Sequence, residues 1–339
     1  MLRHRQFIFA ITAITFASLV FGSGFFNHAL AQSSTATPIP TLDPTFTAPS
    51  NATPALSTPS VPVRLPFTQA DLTVLTGNVQ RPNGITWLDG LLYVACSGDS
   101  TIYEIQESSA RTLTYAGGVR DAHTLYAEPA TGGLAIIWAP DFRQNRFVRA
   151  SRGQASVIAQ GDAFNGPWGM AYLNENEFLV TNLLGRTLIS VSRTGETRLI
   201  LDNLPAPAGI VLYQDYLFIA NNGSTRRAVE WYPSTAVRAD VTAAEQEGAV
   251  LVSGLSSTTG LAMDDKEMLY IAYSLGTRGV VGRINPLECI ANGGCSVDDV
   301  EIVVYSELPA PLAGLTITPE RRLYLHTMFA PDLYWVQLP

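Results

Sequence analysis

Few side chains in this sequence are of the kinds that move protons or hold ions. His123 and His326 are the histidines beyond the first 31 residues. His123 follows Val119-Arg120-Asp121-Ala122, and an unperturbed imidazole pKa of about 6.5 suits acid–base work. It is the candidate catalytic residue, with Asp99 or Asp141 as the carboxylate to orient it. His326 lies inside the apolar run LYLHT and reads as a core histidine. The sequence has no HExxH helix and no GxSxG elbow, which sets aside the zinc-peptidase and nucleophile-elbow chemistries. Cys289 and Cys295 bracket IANGG and could close that loop as a disulfide, whereas Cys96, in an apolar strand, reads as a buried thiol.

These residues fall within a repeat. From Arg81 onward a pattern returns every 40 to 54 residues: a short strand, usually led by Gly, a turn of Asp, Asn, Gly or Pro, a second apolar strand, a polar loop and a third strand. PNGITWLDGLLYVACSGDSTIYEI is the first copy, GPWGMAYLNENEFLVTNLLGRTLISVS the third and LAGLTITPERRLYLHTMFAPDLYWVQL the sixth. The second copy has Thr124 where the others have Gly. Most copies continue into a fourth strand. A four-stranded unit of this length, repeated, is the pattern of a β-propeller. Runs such as LLYVA and YLFIA are apolar throughout, as expected of strands covered on both faces. The sixth copy stops after three strands, and an unassigned apolar strand lies at about residues 70–78. The expected fold is therefore all-β, a six-bladed propeller closed by that N-terminal strand in the last blade.

In such a ring the residues before each leading Gly surround one mouth of the central channel: Asn83, His123, Trp168, Ala208, Thr259 and Ala313. The ends of the second strands add an outer ring, from which Asp99, Asp141, Arg143, Asn182, Asn221, Asn222 and Tyr273 are candidate ligand-binding residues. Loops on a rigid scaffold commonly carry function, and amides, aromatics and a few charges suit a polar ligand. Asn is also a good turn former, the plainer reading of each Asn taken singly. The opposite face carries two insertions, residues 234–248 and 286–299, read as decoration with partner binding as the alternative.

The ends of the chain differ in composition from this core. Arg3, His4 and Arg5 precede an uncharged run, Phe7 to Phe21, and the small-residue site Ala29-Leu30-Ala31. Residues 1–31 read as a signal peptide, leaving no transmembrane segment after cleavage and a secreted, cell-surface or periplasmic location. Residues 32–66, rich in Ser, Thr, Pro and Ala, read as a disordered linker. The propeller would occupy residues 67–339. A net charge of −8 argues against nucleic acid as a partner, since phosphate binding depends on clustered cations. The domain is expected to be a monomer.

PNGITWLDGLLYVAC and GPWGMAYL resemble the six-bladed propellers of the NHL-repeat and SMP-30/gluconolactonase-like superfamily. The resemblance spans residues 67–339. It implies a divalent cation, Ca²⁺ or Mg²⁺, at the channel mouth, with Asn83 at a ligand position. The other matching positions, His123, Trp168, Ala208, Thr259 and Ala313, lack the family's carboxylates. The expected function is thus an exported propeller binding a small-molecule, glycan or protein ligand at the channel mouth. The alternative is a hydrolase or lyase of the superfamily's kind with a metal in the channel.

Overall fold

The computed structural model describes residues 65–237 and 248–339. The expected signal peptide, almost all of the linker and residues 238–247 of the first insertion lie outside the described residues.

The described chain is nearly all β, with one short α-helix, Pro286–Ala291, and a few 3₁₀ turns. Its strands form up-and-down meanders over residues 82–117, 126–160, 167–201, 207–252, 256–309 and 312–337. The innermost strands are Pro82–Leu88, Tyr126–Pro129, Pro167–Tyr172, Pro207–Tyr213, Ser256–Met263 and Leu312–Ile317. Each packs against the innermost strands before and after it, and the last packs against the first, in a propeller-like ring. Counted as continuous hydrogen-bonded sheets, the described residues form five. The first two meanders merge because the long outer strand Gly153–Gln160 pairs in parallel with Thr112–Gly117, through Gly153–Ala116 and Gln154–Gly117.

The apolar runs are explained by alternation between two cores. Along Leu91–Cys96, Leu92, Val94 and Cys96 pack with Tyr324 and Leu333 of the last meander. Tyr93 and Ala95 pack with Ile137 and Ala139 of the second. Side chains alternate across a strand, so a strand between two neighbours is apolar at every position.

The leading glycines have a packing reason. A Cβ on Gly84 would lie 2.8 Å from the Ala122 carbonyl oxygen, and one on Gly209 2.9 Å from that of Thr259. One on Gly169 would fall against the Ala208 carbonyl oxygen, closer still. Inner strands crowd around the axis, and at these positions only hydrogen fits.

Closure uses the strand expected near residues 70–78. Thr73–Thr76 pairs antiparallel with Leu333–Gln337, in the register Thr73–Trp335 and Val74–Tyr334. Just before it, Phe67–Thr68 pairs in parallel with the outer strand of the fifth meander, Phe67 opposite Val304. The N-terminal segment thus straps two neighbouring sheets.

Away from the mouth, neighbouring meanders are tied by arginines. Arg193 donates to both oxygens of Glu128 at 2.6 and 2.7 Å and lies 4.9 Å from the Trp138 ring centroid. Arg152 reaches Glu104, Arg322 reaches Glu107, and Arg321 reaches Asp264. A guanidinium can hold a carboxylate with two parallel bonds and stack on a ring at once, which an ammonium cannot. This gives a physical use for a basic set that contains a single lysine, Lys266.

The second insertion is more than decoration. Asn285 caps its helix, accepting from the Leu287 and Glu288 amides at 3.1 and 3.3 Å. Cys289 and Cys295 are joined. The Cys295 amide donates to Leu251 O at 2.8 Å, and its carbonyl accepts from Ser253 N at 3.0 Å. The loop therefore covers the outer edge of the strand Ala249–Val252, an edge that would otherwise invite pairing with another chain. A six-residue crosslink is worth about 2 kcal/mol in the chain-entropy account. A Cys289→Ser/Cys295→Ser variant should lose about that much in urea unfolding, and the Ser253 amide should exchange faster with deuterium. Unchanged exchange at Ser253 would separate the disulfide from edge protection.

Candidate functional site

Two of the residues before the leading positions, Asn83 and His123, meet at a carboxylate that the repeat pattern does not single out, and Trp168 stacks on His123. Asp121 is 8% exposed. Its Oδ1 accepts a short hydrogen bond from Asn83 Nδ2 and lies 3.5 Å from His123 Nε2. Its Oδ2 lies 3.6 Å from Arg143 Nε. Burial pushes the Asp121 carboxyl above the usual range; Arg143 and the Asn83 bond oppose this, Asp141 adds to it, and Arg81 opposes it. A carboxyl raised by desolvation beside specific partners is a common mark of a functional site.

His123 is buried and packed. Its ring stacks on Trp168, with centroids 3.5 Å apart and planes 3° from parallel, and Phe142 stands edge-on to both. Burial, reinforced by His326 and Arg143, lowers its pKa to about 3, so the imidazole is neutral near pH 7. That leaves it a poor base in this arrangement and a rigid wall beside Asp121. Arg143 is the open member of the set, its side chain 56% exposed.

The carboxylates expected to orient His123 are engaged elsewhere. Asp141 accepts from the Arg120 and Asp121 amides at 3.1 and 3.2 Å and from Arg146 at 2.8 and 3.0 Å. It builds the loop that presents Asp121 and does not touch His123. Asp99 accepts from the Tyr103 hydroxyl.

Much of the outer ring is likewise scaffold. Asn182 accepts from Asn165 N at 3.1 Å and donates to Ala163 O at 2.9 Å, pinning the loop into its own sheet. Asn221 donates to Arg227 O and to the fully buried Glu230, which Arg227 also holds. Asn222 reaches Thr258 O at 3.5 Å. Tyr273 packs into a core with Phe218, Leu261 and Val280. The plainer reading of the asparagines therefore fits Asn182 and Asn221. Asn83, His123, Trp168 and Arg143 are the candidates that gather, around Asp121.

The donor set does not fit a hard divalent cation. Such an ion takes six or more oxygen ligands. Asn83 Oδ1 is buried without a hydrogen-bond partner, and Asp121 supplies one carboxylate. Thr259 donates its hydroxyl to Leu312 O. Trp168, Ala208 and Ala313 carry no side-chain oxygen, and a guanidinium already faces Asp121. Among the described residues, no three His, Cys, Asp or Glu side chains are grouped to hold a metal.

No family model matches the sequence, and no curated protein matches it. Solved structures do resemble it in fold. A gluconolactonase from Xanthomonas campestris superposes with a TM-score of 0.60 at 13% identity, covering 79% of this chain and 89% of that one. Virginiamycin B lyase from Staphylococcus aureus, solved as a catalytically inactive histidine-to-alanine variant with quinupristin, gives 0.56 at 15%, covering 79% and 99%. Regucalcin from Agrobacterium tumefaciens, described as a calcium-binding protein, gives 0.55 at 13%, covering 80% and 94%. At these identities the shared property is the propeller fold.

Proposed function

We propose that this chain is an exported, six-bladed enzyme of the gluconolactonase and virginiamycin B lyase structural group. It acts on a small polar molecule at the channel mouth by hydrolysis or elimination. The observation that carries this reading is Asp121, a carboxyl with a raised pKa held among Asn83, His123 and Arg143. Asp121 would transfer the proton. Arg143, the exposed cation, would hold a carbonyl or carboxylate oxygen of the substrate, and the His123–Trp168 stack would fix the wall. The lactonase and lyase neighbours support the reaction class. The donor set at Asn83 supports a route in which the protein's own groups act.

A second reading, binding without turnover, is favoured by the burial of His123 beneath Trp168. The two separate in one experiment on the full-length protein, offered a panel of lactones and cyclic esters. Asp121→Asn should lower turnover about 10²- to 10⁴-fold, the usual worth of a positioned acid or base. Arg143→Gln should act mainly through KM, and a chelator should leave the rate unchanged. Turnover by Asp121→Asn at the wild-type rate would reject the assignment. Thermal shifts with ligands, but no product from any of them, would favour the binding reading.

A further inference from the structure

The 3₁₀ turn Phe142–Gln144 separates two kinds of surface at the mouth. Phe142 leans toward the third meander, where it stands edge-on to Trp168. Arg143 turns toward Asp121 and, through it, toward Asn83 of the first meander. We propose that the mouth selects an amphipathic acid: a small molecule whose carboxylate sits between Arg143 and Arg81 and whose alkyl or aromatic part lies on Leu184 beside Phe142. This deepens the reading of the mouth as the substrate site, on which it rests, and makes Arg81 and Leu184 specificity-determining residues.

The apolar side is held rigidly in place. Leu184 is 58% exposed, and a single exposed leucine is ordinary by itself. This one is fixed from both sides. Leu183 N donates to Gly166 O at 2.8 Å, and Gly185 N donates to Asn165 O at 2.9 Å. Gly166 N in turn donates to Asn145 Oδ1 at 2.8 Å, which ties the chain just after Phe142 to the same loop. Gly166 has φ +63°, and a Cβ there would lie 2.7 Å from Leu184 Cγ and 2.9 Å from Phe142 Cε2. The two side chains therefore flank one point. Leu184 extends the wall of Phe142, Trp168 and His123 out to solvent, and the apolar part of a ligand that covered it would leave water.

The cationic side has free donors. At 3.6 Å, Arg143 Nε lies beyond hydrogen-bond distance of Asp121. Arg81 is exposed and, among the described residues, makes no ion pair. Its backbone is fixed in the left-handed region, at φ +56°, and its carbonyl accepts from Ser97 N at 3.0 Å. It stands two residues before Asn83, and its charge reaches Asp121. Arginines between the meanders, such as Arg193 and Arg322, are by contrast engaged with glutamates. Two guanidiniums facing one ionised carboxyl leave a single positive charge, which matches a monoanion. A guanidinium recognises a carboxylate through parallel hydrogen bonds.

Calorimetric titration of the full-length protein with butanoate, octanoate and octanamide reads both sides. Octanoate should bind about 15-fold more tightly than butanoate, roughly twofold for each added methylene on a wall open at one side. Octanamide should bind about fivefold more weakly than octanoate, the scale of exposed charge pairs. That gap should narrow in about 0.5 M sodium chloride, while the chain-length preference persists. Leu184→Ser should remove most of the chain-length preference and keep the charge preference, and Arg81→Gln should do the reverse. Both side chains are exposed, so the fold should tolerate either change. Equal binding of butanoate and octanoate by the wild type, no preference for octanoate over octanamide, or a variant that keeps the preference it should lose would overturn the proposal. Both preferences without turnover of any lactone would uphold it and reject catalysis by Asp121. Lactone turnover with neither preference would do the opposite.

Discussion

Gly169→Ala should destabilise the protein by about 3 kcal/mol, the upper end of what overpacking usually costs. At this size that lowers the melting temperature by roughly 6–12 °C. The added methyl group would press on the Ala208 carbonyl oxygen and approach Thr181 Oγ1 to 2.9 Å. The first obstacle is backbone, which cannot rotate away, and Thr181 is itself fixed by donating to Ala208 O at 2.7 Å. Relief requires two inner strands to separate, which loosens the axis. Gly90→Ala is the control. Gly90 has φ +79°, and a methyl group added there would meet nothing within 4 Å, so the change should cost only about 1 kcal/mol of backbone strain. Calorimetry on both variants tests the argument, and equal shifts would mean that crowding at the axis is not what the leading glycines relieve.

Acid should weaken the fold earlier than carboxylate titration alone would dictate. Burial depresses His123 to about 3 and His326 to about 4. Both are ordinary imidazoles near 6.5 once unfolded. A base with a depressed folded pKa takes up protons more readily in the unfolded chain. Its contribution is therefore fully present above pH 6.5 and is lost as pH falls through 6.5 toward 4 and 3. At about 1.4 kcal/mol per pH unit for each histidine, the loss is on the order of several kcal/mol by pH 4. Glu107 and Glu128, whose partners hold their carboxyls below the usual range, add losses only once the pH nears 4.5. Asp121, raised by burial, works in the opposite direction. The interval from pH 6.5 to 4.5 thus belongs mainly to the histidines. Urea titrations across it should show a slope that flattens in His326→Phe. An unchanged slope would place His326 in contact with solvent.

What could be read from the sequence was what local pattern encodes. The apolar runs were legible because each strand lies between two cores. The closing strand was legible because one apolar segment had no unit of its own. Asp121 was not legible. It stands in the loop VRDAH, and its partners come from elsewhere: Asn83 from the innermost strand Pro82–Leu88 and Arg143 from the 3₁₀ turn Phe142–Gln144. Only the amides fixed by Asp141 aim it at the mouth. Asp141 was visible as a carboxylate in the right region, but its role depends on Arg146 and two backbone N–H groups. The merging of the first two meanders rests on two residue pairs at a sheet edge, too local a contact for a repeat to reveal.

The strap at the N-terminal end also dictates an order of events. Thr73–Thr76 finds its partner in Leu333–Gln337, so the ring cannot shut until almost the whole sequence has been synthesised. Pairing so distant in sequence is slow. Until it happens, the last sheet has a bare outer edge, and the waiting strand is free to add to the edge of another copy. The final step of folding is therefore a race between closing on itself and joining a neighbour. Its outcome depends on protein concentration, and dilution during refolding should favour the ring closed within one chain.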